Sequence, residues 1–235
     1  MRAYLEGLAA SLPARPRAIL IVSGHWETPA GFAFTGAQQP ELIFDYHGFP
    51  DYTYALTYPA PGDPALAGRA AKLLAAAGIP SVVDPHRGFD HGVFVPMKVA
   101  FPDADIPIVE MSVDRSLDPA LHLAAGRALA PLRAEGVLIV GAGMSFHNMR
   151  AYGDPAATEP SRLFDTWLTD ATTSPTASRN AALQGWAEAP YARFSHPREE
   201  HLIPLMVAAG AADGAATLDY SDEVLSTVIS AFRFA

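Results

Sequence analysis

Two short apolar runs stop abruptly at small-residue turns, and a histidine follows each turn. Ala18-Ile19-Leu20-Ile21-Val22 runs into Ser23-Gly24-His25, and Val137-Leu138-Ile139-Val140 runs into Gly141-Ala142-Gly143 ahead of His147. Unbroken apolar runs bounded by breakers predict strands buried on both faces, here over 17–23 and 137–140. Leu5, Leu8, Ala9 and Leu12 lie at helical spacing and predict a short helix over 2–12, ended by Pro13. Phe32–Thr35 reads as a strand. Leu66, Ala70, Leu73, Leu74 and Ala77 form one face of a helix that opens at Pro64 and closes at Gly78.

Further strands are predicted over 81–83 and 106–113, separated by a loop over 84–92 that is dense in turn formers and ionisable groups. A second long helix spans 117–133, with Gly136 marking its end. Strand and helix thus alternate through the first 145 residues, the pattern of a parallel sheet with covering helices. Residues 160–210 read as helical, with Phe164, Trp167 and Leu168 on one face and a final helix beginning near His196–His201. The tail from 217 to 234 alternates weakly and predicts one or two edge strands. The expected fold is α/β: a single domain over 1–235 with a mainly parallel twisted sheet, helices on both faces and a helical C-terminal portion.

Composition narrows the function. Half of the 235 residues are apolar, enough for a sizeable core, and no repeat, low-complexity tract or linker divides the chain. A formal net charge of −9 argues against a nucleic-acid partner and against an anionic membrane surface. No apolar run approaches the ~20 residues of a membrane span, and Glu6 interrupts the N-terminal apolar stretch, so a cytoplasmic location is expected. With no cysteine, any metal must be held by histidine and carboxylate.

The eight histidines therefore become the candidates. Open α/β sheets bind ligands at the carboxyl ends of their strands, which singles out His25 and His147, although each also reads as a hydrogen-bonded turn residue. His91 has Asp90 beside it, a carboxylate able to fix a ring tautomer, in what is equally a solvated loop. His201 follows Glu199 and Glu200 and precedes Leu202 to Leu205; turned inward it needs a partner, and a metal is one. His47, His86, His122 and His196 read as structural, with His47 and His196 near turns where they can line a mouth. There is no His-Glu-x-x-His helix and no Gly-x-Ser-x-Gly elbow, and the glycine turn at 141–143 lacks the third glycine and the lysine of nucleotide-binding loops. In a doubly wound sheet His25, His91, His147 and His201 are expected to gather on one rim.

Seven blocks carry a resemblance through essentially the whole chain: Ser23–Thr28, Asp45–Pro50, Tyr58–Gly62, Arg87–Gly92, Pro102–Pro107, His147-Asn148 and Glu200–Leu205. Together they resemble the DOPA-type extradiol ring-opening dioxygenases of class III, related to the catalytic subunit of protocatechuate dioxygenase. The resemblance implies cleavage of a catechol beside its diol with O2 at a non-haem Fe(II), in a site that Zn(II) can also occupy. It implies His25 and His201 as metal ligands, His147 as a further ligand or as acid/base, and His91, with Asn148 and His47, as substrate-facing. Neutral imidazole suits divalent iron, and a histidine with a pKa near ~6.5 can take and return a phenolic proton.

Family members also begin with a strand ending in a Gly-His-Gly-Ser-Pro-like turn that supplies another metal-binding histidine. Residues 1–16 contain no such turn, so the resemblance implies either a start assigned too late or an N-terminally truncated member, with weakened iron binding and turnover expected of the 235-residue form. Phe94 and His47 depart from the family pattern and are expected to alter substrate fit. A zinc-dependent hydrolase and a non-catalytic interaction module remain as alternatives, and the catechol, the native metal and homo-oligomerisation stay open.

Overall fold

Every residue from Ala18 to Ser23 is fully buried, a condition that a strand meets when both of its faces are covered. In the computed structural model, which describes residues 1–234, this run begins β1 (Ala18–Thr28). The other elements follow in chain order around it. A first helix, α1 (Arg2–Ser11), precedes β1, and β2 (Phe32–Thr35), α2 (Pro64–Ala76), β3 (Ser81–Asp84), α3 (His91–Ala100) and β4 (Ile108–Asp114) come after it. Next are α4 (Pro119–Leu129), α5 (Pro131–Ala134) and β5 (Val137–Ala142). The chain closes with α6 (Thr158–Thr172), α7 (Thr176–Gln184), α8 (Ala192–Ser195), α9 (Ile203–Gly210), β6 (Ala216–Val224) and β7 (Thr227–Phe234). These group into two compact units, residues 1–116 with 128–142, and residues 117–127 with 143–235.

The first unit holds a five-stranded sheet in the order β3-β2-β4-β1-β5. β1 pairs in parallel with β4 and β5, β2 pairs in parallel with β3, and the β2–β4 contact alone is antiparallel, so the α/β fold with a mainly parallel sheet is as expected. The helix read from 64 to 78 is present. Asp63 caps it by accepting from the Leu66 N–H at 2.9 Å, Pro64 sits at its first turn, and Gly78 leaves it at φ +72°. One core of this unit packs Ile19, Ile21 and Ile108 against Phe89, Val93, Phe94 and Met97.

Three expectations change. β1 does not end at Ser23: its pairing with β4 shifts register between Val22 and Glu27 and then resumes, so His25 lies at an irregularity inside the strand. The stretch after Asp90 is the helix α3, masked in the sequence by Gly92 at its start and Pro96 in its middle, while Val93, Phe94, Met97 and Ala100 supply a buried face. The helix expected over 117–133 breaks into α4 and α5. Leu117 takes a left-handed conformation (φ +52°), and Pro131 opens a separate short turn.

The second unit is helical apart from β6 and β7, which pair with each other as an antiparallel hairpin rather than joining the main sheet as edge strands. Leu225 and Ser226 both have positive φ (+49° and +60°), the backbone twist of a two-residue hairpin turn. The last helix starts only at Ile203, so His196 to His201 lie ahead of it. Arg179 is fully buried and caps the chain end of α9, donating to the carbonyls of Ala209 (2.7 Å), Ala212 (2.9 Å) and Gly214. No helix among the described residues is long and apolar enough to cross a membrane.

Helices α4 and α9 touch backbone to backbone through glycines. A Cβ on Gly126 would lie 2.2 Å from the Val207 carbonyl oxygen, and one on Gly210 would lie 2.2 Å from that of Leu123. Gly126→Ala should therefore cost about 1–3 kcal/mol in urea unfolding. Gly68→Ala, in α2 where nothing lies within 4 Å, should gain up to about 1 kcal/mol.

Candidate functional site

Each unit builds a cluster of two histidines around one carboxylate, with one donor atom from every member lying within 4.8 Å of the others. In the first unit these are His25, Asp45 and His91. β1 delivers His25 at its irregularity, α3 delivers His91 as its first residue, and the loop after Phe44 delivers Asp45. His91 binds Asp45 Oδ1 twice, through ring Nδ1 at 2.7 Å and backbone N–H at 3.1 Å, and His25 Nδ1 is 3.5 Å from Oδ2. The two rings stand 3.9 Å apart, tilted by 52°.

A carboxylate only accepts, so the His91 contact places a proton on Nδ1, and in the neutral ring Nε2 then keeps a lone pair. Burial pushes the Asp45 carboxyl up, but the two hydrogen bonds and the charge of His91 outweigh it, and Asp45 titrates below the ordinary aspartate range. Tyr46 meets the His91 ring edge-on at 5.5 Å. Gly92 is required where it stands, because a Cβ there would meet Ser23 Oγ at 2.6 Å and His25 Cδ2 at 3.0 Å.

In the second unit His147 and His201 flank Glu200, with His147 Nδ1 at 3.6 Å and His201 Nε2 at 3.9 Å from Oε1. Their rings stack at 3.5 Å with a 33° tilt. The His147 N–H donates to the Ser195 carbonyl (2.9 Å), and the Met144 N–H donates to the His201 carbonyl (3.0 Å). That last contact explains the glycine of the Gly141-Ala142-Gly143 turn, since a Cβ on Gly143 would overlap the His201 carbonyl oxygen. Burial raises the Glu200 carboxyl, yet the adjacent His147 ring, its own backbone, and the charges of His201 and Arg198 together bring it below the usual glutamate range. His147, Asn148, Met149, Arg150, Arg198 and Glu200 line a cavity of about 500 Å³. The Asn148 amide holds that wall in shape, donating to the Phe194 carbonyl (2.8 Å) and accepting from the Arg150 N–H (3.2 Å). A larger cavity, about 600 Å³, lies beside Gln38 and Asp63 and contains no histidine.

The structure thus pairs His25 with His91 and His147 with His201. His47 is exposed on the loop after Asp45, in neither cluster. His122 and His196 are fully buried, as their structural reading requires. The sequence reading passed over Asp45 and Glu200 as chelating partners. Glu200 carried a signal, since it directly precedes His201; Asp45 carried none that ties it to His91.

The family described as the catalytic LigB subunit of aromatic ring-opening dioxygenase matches residues 3–232. Dioxygenase tasH of Hapsidospora irregularis is 45% identical over 229 residues, covering 92% of this chain and 70% of that protein. The 4,5-DOPA dioxygenase extradiol of Beta vulgaris is 41% identical over 203 residues (84% and 74%), and that of Escherichia coli K12 is 39% identical over 213 residues (89% and 77%). The crystal structure of an uncharacterized Escherichia coli K12 protein superposes with a TM-score of 0.82 at 32% identity, covering 98% of this chain and 90% of that one.

Beneath the second cluster, His196 sets a pH dependence. Its Nε2 donates to the Ser145 carbonyl (3.0 Å), its Nδ1 is buried without a partner, and burial lowers its pKa from 6.5 to about 4. A depressed pKa means that the unfolded chain takes the proton first. The stabilisation is complete above about pH 6.5 and is lost as pH falls toward about 4, up to about 3 kcal/mol. Urea unfolding between those pH values should show a shallower acid slope in His196→Gln than in the parent chain.

Proposed function

The chain belongs to the LigB family of aromatic ring-opening dioxygenases, as an enzyme of the extradiol class, and from that premise we propose that it opens a catechol beside its diol with O2 at an Fe(II) held by histidines. The observation that carries this reading is the donor set. Each unit sets two imidazoles around one carboxylate, imidazole is a ligand of non-haem Fe(II), and the chain has no thiolate to compete for it. We assign the ligand role to His147 and His201, which stand around Glu200, and to His25, which stands beside Asp45, each oriented by its neighbouring carboxylate. Zn(II) suits the same donors. When bound, the metal supplies Lewis acidity and the electron-transfer chemistry that O2 requires.

The remaining work falls to the side chains. Asp45, ionised at neutral pH, holds His91 with its proton on Nδ1, so Nε2 is the atom that takes a phenolic proton from the substrate and later returns it. In this reading His147 either ligates the metal or shares the acid/base work. Asn148 contacts the substrate from the wall of the second-unit cavity, and His47 does so from the loop that carries Asp45 and Tyr46.

Anaerobic reconstitution with Fe(II), followed by O2 and a panel of catechols, tests the proposal. It should give a yellow ring-opened semialdehyde with matching O2 uptake. His91→Ala should lower kcat by about 10²–10⁴-fold with metal content retained, whereas His25→Ala and His201→Ala should lose the metal itself. No ring-opened product from any catechol by the iron-replete chain, or ester or amide hydrolysis with zinc instead, would sink it.

A further inference from the structure

The first-unit cluster rests on a buried ionic network that the proposed chemistry does not use. Asp90 is fully buried, caps α3, and directly precedes His91. Its Oδ1 accepts from Ser23 Oγ (2.8 Å) and from the Gly92 N–H (3.0 Å), and the Ser23 oxygen in turn accepts from the His25 N–H (3.2 Å). One carboxylate oxygen therefore ties the strand that carries His25 to the helix that carries His91. The space around it is closed, since a Cβ on Gly92 would crowd Ser23, His25 and Asp90 together.

Two further residues hold Asp90 from behind. Arg87 donates from Nη2 to Asp90 Oδ2 at 3.1 Å, reaches within 3.8 Å of Glu110 Oε1, and stacks over the Trp26 ring at 5.0 Å. Glu110, fully buried on β4, accepts from the Asp90 N–H through Oε2 at 3.2 Å. Its own N–H donates to Thr35 Oγ1 at 2.9 Å, which fixes it in the sheet. One guanidinium faces two buried carboxylates, so the network is neutral only if one carboxyl keeps its proton. Burial, then the neighbouring Asp90, push Glu110 well above the usual glutamate range, so of the two it is the carboxyl that takes a proton more readily.

We propose that Arg87 and Glu110 are positioning residues that touch no substrate and act through Asp90 to hold the His25 and His91 rings at their 3.9 Å separation. A network that only stabilised the fold would lower the unfolding temperature when cut and leave the two rings alone. The proposal builds on the roles given to His25 and His91 above, and its test separates the two.

Histidine ring nitrogens are read by long-range ¹H–¹⁵N spectra of the metal-free chain, alongside thermal unfolding and, after iron loading, kcat and KM. Arg87→Met and Glu110→Met should both move the His25 and His91 signals while leaving those of His122 and His196 in place. They should lower kcat by about 10–100-fold with little change in KM, the signature of displaced catalytic groups. Arg87→Lys, which keeps the charge, and Glu110→Gln, which replaces the acid O–H by an amide N–H in the same shape, should each recover much of the loss. Folded Arg87→Met and Glu110→Met chains with unmoved His25 and His91 signals would overturn the proposal, whatever their unfolding temperatures. If Glu110→Met does not fold, Arg87→Met decides alone. The spectra need neither metal nor substrate, so a failure of ring opening and a failure of positioning are distinct results.

Discussion

A carboxylate buried without solvent is tolerable only when its lone pairs are met, and Asp90 meets this condition with partners from four directions. Ser23 and Gly92 satisfy Oδ1, Arg87 satisfies Oδ2, and the backbone N–H of Asp90 is spent on Glu110. The first unit depends on that condition. The strand from Ala18 to Ser23 is apolar until its last residue, and that residue is the serine whose hydroxyl joins Asp90. Beyond it the β1–β4 register slips before pairing resumes at Glu27, and the slip contains His25. Strand irregularity, helix cap and histidine pair are thus one construction: moving Asp90 would disturb all three.

The second unit solves the same problem with backbone instead of buried charge. Gly143 passes so close to the His201 carbonyl that no side chain fits, and the Met144 N–H closes the contact. His147 is fixed from its other side by the Ser195 carbonyl. The two imidazoles are held by main-chain hydrogen bonds at their own residues, leaving Glu200 to answer their ring nitrogens. Main-chain anchoring is indifferent to pH, and the titratable component below it, His196, stays neutral because its protonated form would have to be buried.

Much of this was legible from residue order. The double-faced burial of β1, the capped helix α2 and the candidacy of His25, His91, His147 and His201 follow from short-range pattern: apolar runs, a proline-to-glycine bracket, and histidines placed after turns. The same expectation for 137–140 fails, because β5 is an edge strand of the sheet and only Val137 in it is buried. What was not legible depends on contacts distant in sequence. Asp45 lies 46 residues from His91, and nothing near it marks it as that ring's partner. Helix α3 was hidden because Gly92 and Pro96 are poor helix residues. Gly92 is kept by the crowding around Ser23 and His25, and tertiary packing of Val93, Phe94 and Met97 overrides the cost of Pro96. The hairpin at 216–234 alternates as an edge strand would, and local pattern does not say which sheet a strand joins.

The acidic groups divide by environment into two kinds, and the division is itself informative about mechanism. Asp45 and Glu200, each facing a pair of histidine rings, are driven below the usual carboxyl range, so they are anions wherever the enzyme works. Glu110, enclosed on β4 beside a shared guanidinium and the Asp90 N–H, is driven the other way, toward its neutral form. Negative charge is thereby kept beside the imidazoles, where it fixes ring protons and favours a cation, and is withheld from the sheet beneath, where it would face no solvent. Were Glu110 an anion, Arg87 would be divided between two charged acids and its grip on Asp90 would weaken. The neutral form leaves that guanidinium to one carboxylate, and the placing of His25 and His91 follows from the undivided pair.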